Sequence, residues 1–522
     1  MAGAGSWFRA TLDVTPALPG DVARGGAGDA ARPVESVAAV VVSVRVMPWV
    51  LRLRSSFGTS HSSTSVRTNA IIQVDVNGVH GLGEAGLPPK KHRVYEADFE
   101  DCEAFLLSFA ARVASADLSG TRVKLASHST SAASCSSDSD SAASEGASEC
   151  KDPPANPFDE TPPEYFAVLR EAQDSISVVS RLLLSCLDTC ERGRAGEASS
   201  RAARSGFETA LLDCWCHHRG LPLYAAIGLP GGCAEGDQPR VSFYTAALNE
   251  DIEKIVQSAL FGWTYTPHLK VKLDGDVARG IDILRALVSA RGLSTPGREC
   301  ETADGLWSID ANSAWTPRIS MEYARVLRDF PFGADASARL FMIEQPFPAD
   351  LLDRPSLADS SRIVDFDDVY SVAAWVAVKE AFEAVGVLVY ADESVRHSAD
   401  VDELARAGIV HGVNVKMEKA GGFRGALQTL DAAKRCHLKC WLGCMVGSSL
   451  NSNATAHLVA LAEHADLDGA LLVDPECEPV SGGFTWGKGT GAILLPAGIE
   501  GLGLVPKPAL TLAHSAIVSE VP

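Results

Sequence analysis

From Val241 onward the sequence keeps one rhythm: short apolar, β-branched runs separated by stretches patterned as helices. Eight such runs can be counted, at Val241–Ala247, His268–Leu273, Trp307–Ala311, Phe341–Gln345, Leu388–Ala391, Gly412–Lys416, Lys439–Gly443 and Gly469–Val473. Each but the last is followed by room for a helix. Strand–helix alternation of this kind closes into a parallel α/β barrel, in which working side chains project from the C-terminal ends of the strands. The rhythm predicts a barrel domain over 241–475, with a further segment, 476–522, beyond it.

Before the barrel, 36–240 reads as an α+β domain. Val40–Val46 is β-rich, Asn69–Val76 alternates, and Asn77-Gly78 supplies a hairpin turn before Val79–Glu84. Pro163–Thr189 and Ala202–His218 follow as helices. Two segments lack the apolar residues needed to offset the entropy of ordering. One is an Ala/Gly-rich extension, 1–35. The other is a Ser-rich insertion, about 127–154, that reads as a solvated loop within the first domain.

Several functions are excluded. The net charge of −20, with no local basic stripe, disfavours nucleic acid. No apolar run approaches the ~18 residues of a membrane span, and no secretory signal opens the chain. The thirteen cysteines sit largely inside apolar patterns, as Cys214, Cys216 and Cys444 do, which suits reduced thiols and a cytoplasmic setting. Import into an organelle is left open. Gly81-Leu-Gly-Glu-Ala-Gly86 matches a dinucleotide loop, but it follows a hairpin turn and runs into Leu87-Pro88-Pro89, which cannot open the required helix. Cys214-Trp-Cys216-His-His lacks zinc spacing. No G-x-S-x-G turn is present.

The informative residues are charges at the barrel-strand ends, costly there unless they work together. Lys270 and Lys272 share one face of a strand, where mutual repulsion and burial are expected to depress their pKa values toward those of usable bases. The next three strands end in Asp310, Glu344 and Asp392. Three successive carboxylates repel one another unless a cation sits among them, and an all-oxygen donor set points to a hard ion, most simply Mg²⁺. The following strand ends in Lys416, across the mouth from Lys272. Two bases flanking a metal-bound carboxylate suit proton transfer at both faces of one carbon.

In this order, Lys-Val-Lys, Asp-Ala-Asn, Glu-Gln-Pro, Asp-Glu-Ser and Asn-Val-Lys-Met-Glu-Lys-Ala-Gly-Gly resemble the muconate-lactonizing-enzyme branch of the enolase superfamily, over about Val40 to Gly483. The resemblance implies a modified (β/α) TIM-type barrel under an α+β capping domain that the C-terminal segment completes. It implies one Mg²⁺ on Asp310, Glu344 and Asp392, and an acid/base pair of Lys272 and Lys416. Within the branch, Asp466-Leu-Asp468 resembles the D-x-D element of dipeptide epimerases, and two carboxylates on one face suit a free ammonium group. By the same resemblance Thr245, Lys270 and Cys444 fall where those enzymes contact substrate.

The resemblance implies an isomerase that inverts the α-carbon of the C-terminal residue of a dipeptide, Ala-Glu or more broadly Ala-Xaa, through a metal-stabilised enolate. Arg67 or His61 are candidates to meet an acidic side chain. The subunits are expected to bind a small dipeptide and to be capable of homo-oligomerisation. An N-acylamino acid racemase, an o-succinylbenzoate synthase or a cycloisomerase would share the five core residues. A Schiff-base aldolase and a non-catalytic barrel scaffold are the readings from other classes. Three departures from the family stand out: the Ser-rich insertion, an added loop near Ser360–Tyr370, and Val446-Gly-Ser-Ser, which offers no specificity charge.

Overall fold

The structure, a computed structural model, describes residues 6–14, 38–59, 62–90, 95, 97–115, 122–128, 158, 160–192, 199–231, 240–293, 305–332, 338–347 and 371–510. The Ser360–Tyr370 loop, His61 and nearly all of the Ser-rich insertion lie outside these residues.

The first domain is built on a five-stranded antiparallel sheet, β1 (Ser6–Val14), β2 (Ala38–Gly58), β3 (Ser63–Val76), β4 (Val79–Ala85) and β5 (Arg122–His128), in the order β4-β3-β2-β1-β5. Val40, Val42, Val44 and Val46 bury one face of β2 by its period of two. Asn77 and Gly78 turn β3 into β4 with φ of 51° and 83°, the left-handed pair that a tight hairpin requires. β1 corrects the sequence reading, which placed 1–35 outside the fold. Phe8, Ala10 and Leu12 are buried, and Ser6–Val14 pairs with Ala38–Val46. The alternation is present in Ser-Trp-Phe-Arg-Ala-Thr-Leu-Asp-Val, but the Ala/Gly-rich surroundings mask it.

Helices α1 (Phe99–Ser115), α2 (Ala167–Glu171), α3 (Ser175–Arg192), α4 (Ser199–Arg219) and α5 (Leu223–Ile227) complete the domain. The single helix expected over Pro163–Thr189 is split. Asp174 caps α3, accepting from Ser177 N at 3.0 Å. α4 lies against β4 backbone to backbone. A Cβ on Gly81 or Gly83 would come within 2.1 Å of Ala210 O or 2.0 Å of Gly206 O, so the glycines of the dinucleotide look-alike serve helix–strand packing.

The barrel follows as β6 (Val241–Ser242), β7 (Tyr244–Ala246), α6 (Ile252–Gly262), β8 (Leu269–Lys272), α7 (Val277–Leu293), β9 (Gly305–Asp310), α8 (Pro317–Leu327), β10 (Ala338–Glu344), α9 (Val372–Glu383), β11 (Leu388–Ala391), α10 (Ser398–Ala407), β12 (Gly412–Val415), α11 (Met417–Ala420), α12 (Phe423–Arg435), β13 (Lys439–Gly443), α13 (Ser449–Ala456) and β14 (His464–Asp466). All pairings are parallel, in the order β6-β14-β13-β12-β11-β10-β9-β8-β7. β6 and β7 are one interrupted strand, broken only at Phe243, so the sheet closes on itself. The last strand is His464–Asp466, and not Gly469–Val473 as the pattern suggested. Gly469–Leu472 forms a 3₁₀ turn, with Leu471 N bonded to Asp468 O at 2.8 Å. A short apolar run without alternation does not tell a strand from a helical turn.

Aromatic side chains fill the barrel below the strand ends. Phe243, Phe341, Tyr390 and Trp441 form one buried cluster, with the Phe243 and Trp441 centroids 4.6 Å apart. No described helix is long and apolar enough to cross a membrane.

The two domains are joined at several points. The β2–β3 hairpin reaches the barrel by bridges Leu53↔Val473 and Gly58↔Leu248. Glu84 accepts from Ser448 N and Oγ, so the uncharged Val446-Gly-Ser-Ser stretch binds the cap. The C-terminal segment returns to the cap, where Leu502 N reaches Asp213 at 2.7 Å and Leu223 N reaches Gly501 O at 2.9 Å. Arg424 of α12 pairs with Glu208 at 2.9 Å and with Asp188 at 2.8 Å, and Arg204 joins Asp188 at 2.6 Å.

Glu208 is fully buried in that network. Glu208→Ala is expected to cost about 3–5 kcal/mol, because it leaves buried guanidinium charge behind. Chemical denaturation checks this, and a change below about 1 kcal/mol would show that the network adds little.

Candidate active site

The strand period places Lys270 and Lys272 on the inner face of β8, with Val271 turned outward into the core. Lys272 Nζ lies 2.7 Å from Asp310 Oδ2 and 2.9 Å from Asn312 Oδ1. Lys270 Nζ lies 2.8 Å from Glu344 Oε2, 2.8 Å from Asp466 Oδ2 and 3.6 Å from Asp310 Oδ2. It also sits 5.8 Å above the Trp441 ring, so the aromatic filling is the floor of the site. Across the mouth, Lys416 Nζ is 2.7 Å from Asp392 Oδ2.

Lys272, Lys416, Lys270 and Thr245 open onto one cavity of ≈ 210 Å³, as do Cys444, Asp466 and Asp468. Asp310, Glu344 and Asp392 lie behind the lysines, each at most 1% exposed. None turns outward toward a helix. Each is engaged by an ammonium group, and among the described residues no three acids, histidines or cysteines are gathered closely enough to hold one metal ion as they stand.

The donor chemistry nevertheless fits a hard cation. All three side chains are carboxylates, and Glu344 Oε2 is a buried atom with no hydrogen-bond partner beyond its 2.8 Å ion pair with Lys270. Burial pushes Glu344 up to about 8, a rise that Lys270 offsets only in part. Burial also acts to raise Asp310, but Lys272 and Lys270 outweigh it and hold that carboxyl at about 2.

One expectation is corrected at Lys270, whose pKa is not depressed in this arrangement, and Lys416 is shifted the same way. Burial pulls each down, but the carboxylates of Asp466 and Glu344 around Lys270, and of Asp392 beside Lys416, push both well above the ordinary lysine value. At Lys270, acids that barrel closure brings in from β10 and β14 outweigh burial and the like charge of Lys416.

The two aspartates of the D-x-D element differ in their engagements. Asp466 ends β14 and accepts from Trp441 Nε1 at 2.8 Å as well as from Lys270. Asp468 accepts from Thr245 N at 2.5 Å and is raised to about 6, first by burial and then by Asp466. Cys444 donates to Asp466 O at 3.2 Å, and burial pushes its thiol well up, which suits a wall of the cavity rather than a nucleophile. Arg67, on the hairpin, lines the cavity, and its Nε has no hydrogen-bond partner.

Sequence reasoning missed Asn312, Asn414, Lys419 and Tyr95. Asn414 donates to Glu344 Oε1 at 3.0 Å, and Lys419 donates to Asp392 Oδ1 at 2.5 Å. Asn312 lies two residues past Asp310, and Asn414 two before Lys416, so the strand period carried a signal for both. Lys419 projects from a helical turn and Tyr95 lies between β4 and α1, where no period points.

Residues 258–509 match the family model described as Enolase C-terminal domain-like. An enolase superfamily member of Dictyostelium discoideum is 35% identical over 83% of this chain and 89% of its own length. The L-Ala-D/L-Glu epimerase of Bacillus subtilis is 26% identical over 58% of this chain and 70% of its own. Among solved structures, the dipeptide epimerase of Enterococcus faecalis, complexed with Mg and L-Leu-L-Tyr, superposes with a TM-score of 0.57 at 19% identity, covering 88% of this chain and 98% of that one. With its capping sheet, its closed parallel barrel and this degree of identity to the Dictyostelium protein, the chain belongs to the enolase superfamily, in its mandelate racemase/muconate lactonizing branch.

Proposed function

We propose that the protein is a Mg²⁺-dependent epimerase that inverts the α-carbon of the C-terminal residue of a dipeptide. The observation that carries this reading is that Lys272 and Lys416 open onto the same ≈ 210 Å³ cavity, each held by a different acid of the trio. Asp310, Glu344 and Asp392 would hold the cation. When bound there, Mg²⁺ supplies the positive charge that these carboxylates otherwise draw from lysines, and it polarises the substrate carboxylate. One lysine then removes the α-proton and the other returns a proton to the opposite face. Asn312 positions Lys272 through the 2.9 Å contact. Removing Lys272 or Lys416 as Ala abolishes epimerisation, while the remaining base still exchanges the α-proton of one enantiomer in D₂O. Full epimerisation by Lys416→Ala would sink the two-base reading.

The substrate ammonium belongs with Asp468 and Asp466. Asp468 is the better placed of the two, since Asp466 already accepts from Lys270 and Trp441. A charge-assisted hydrogen bond there is worth roughly 1.5–3 kcal/mol, or about ten- to a hundredfold in binding. N-acetylating an accepted dipeptide should therefore remove most of its kcat/KM, whereas a preference for the acetylated form would make this an N-acylamino acid racemase. Arg67 stays charged at neutral pH even though burial lowers it to about 10, which supports an acidic side chain such as that of Ala-Glu.

The Asp468 carboxyl, raised to about 6, gives the pH dependence its sign. Below that pH it gains a proton and loses its attraction for an ammonium group. KM for a free dipeptide should rise up to about tenfold per pH unit as pH falls below 6. Asp468→Asn should raise KM and flatten that limb. An unchanged limb in this variant would assign the titration to another group.

A further inference from the structure

The wall of the substrate cavity is thin at one place. Pro88, Tyr95 and Met445 line that cavity and also a second chamber of ≈ 20 Å³, room for about one water. Beyond these three residues the chamber is bounded by Arg201, Arg396 and Lys419, with Glu418 as its acid. Of these four charged side chains three are cationic; Lys419 is paired with Asp392 and Arg396 with Asp400, while Glu418 accepts from Asn451, so the chamber's own wall carries more cationic groups than acids.

Of the three shared residues, Tyr95 carries the largest rigid surface and belongs to neither a helix nor a regular strand. It lines the cavity together with Lys416 and the chamber together with Lys419. Lys416 Nζ and Lys419 Nζ hold the same Asp392 carboxylate, at 2.7 and 2.5 Å, so Tyr95 stands at the Lys416 side of the cavity. Phe57, Arg67 and Lys90 of the cap line the same cavity, so a side chain on the α-carbon directed toward the cap meets this wall.

We infer that Tyr95 is a specificity-determining residue, a partition whose ring limits the length of the substrate side chain by closing the cavity against a basic chamber. Without the ring the two spaces join, and a longer side chain ending in a carboxylate gains both room and opposite charge. A side chain ending in an ammonium gains only room. The inference rests on the epimerase reading for its substrates, but not on whether their amino end is free or acylated.

The test is α-proton exchange in D₂O with Mg²⁺, for wild type, Tyr95→Ala and Tyr95→Phe. Two parallel panels are used, L-Ala-Xaa and N-acetyl-Xaa, with Xaa as Ala, Glu, α-aminoadipate and Lys. In Tyr95→Ala the kcat/KM ratio of α-aminoadipate to Ala should rise at least about tenfold over wild type, the scale on which a pocket discriminates a methylene or two. The Lys-to-Ala ratio should not rise with it. Tyr95→Phe, which keeps the ring, should hold both ratios within about threefold. Equal losses across all substrates, or equal gains for α-aminoadipate and Lys, would overturn the partition. Exchange confined to the N-acetyl panel would defeat the dipeptide reading, while its side-chain ratios would still judge Tyr95. No exchange in either panel would overturn both.

Discussion

The site depends on a lattice of buried opposite charges at the C-terminal ends of the barrel strands. Asp310, Glu344, Asp392 and Asp466 face Lys270, Lys272, Lys416 and Lys419 at contact distances of 2.5–3.6 Å. Neither set is tolerable there alone, since an unpaired buried charge costs several kcal/mol. As it stands, Lys270 and Lys416 make poor bases, because the acids around them hold their ammonium charge. On the proposed Mg²⁺-dependent reading, a divalent cation held by three of the acids would change that balance: it would replace ammonium charge and let lysines lose protons without stranding carboxylates. In that sense the acids and the bases of the site are one electrostatic unit, and the state of either sets the state of the other.

The rest of the fold serves that unit. Parallel strands fix the lattice side by side, with Lys272 opposite Asp310 and Asp310 opposite Glu344. The aromatic cluster around Trp441 seals it from below and supplies a hydrogen bond to Asp466. The cap closes it from above through the β2–β3 hairpin and the Glu84–Ser448 contact. The Arg424–Glu208–Asp188 network ties the cap helices to the barrel. Arg67 and Tyr95 line the cavity from the cap side, where the proposed function places substrate selection, and the lysines proposed for proton transfer line it from the barrel.

The barrel and every member of the lattice but Lys419, which projects from a helical turn, were legible in sequence because strand ends carry charged or polar residues at a period of two, and Lys-Val-Lys or Asp-Ala-Asn displays that period locally. Three further features were not. β14 is only His464–Asp466, too short for any pattern, so the neighbouring Gly469–Val473 run drew the assignment. β1 alternates correctly but is embedded in an Ala/Gly-rich stretch whose composition argues the other way. The direction of the lysine pKa shifts depends on Glu344 and Asp466, 74 and 196 residues away from Lys270. Local reading sees the like charge two residues off and misses the opposite charges that only closure of the barrel brings in.

The most direct test of the charge-exchange account is calorimetric titration of the metal-free protein with Mg²⁺ in buffers of different ionisation enthalpy, which counts the protons released on binding. If the cation replaces ammonium charge in the lattice, binding releases about one to two protons per Mg²⁺ near neutral pH, and the Glu344→Gln variant, which lacks the carboxyl raised to about 8, binds more weakly but still releases the share that comes from the lysines. Tight binding of Mg²⁺ with no proton release would mean that the lysines keep their charge, and would contradict the account.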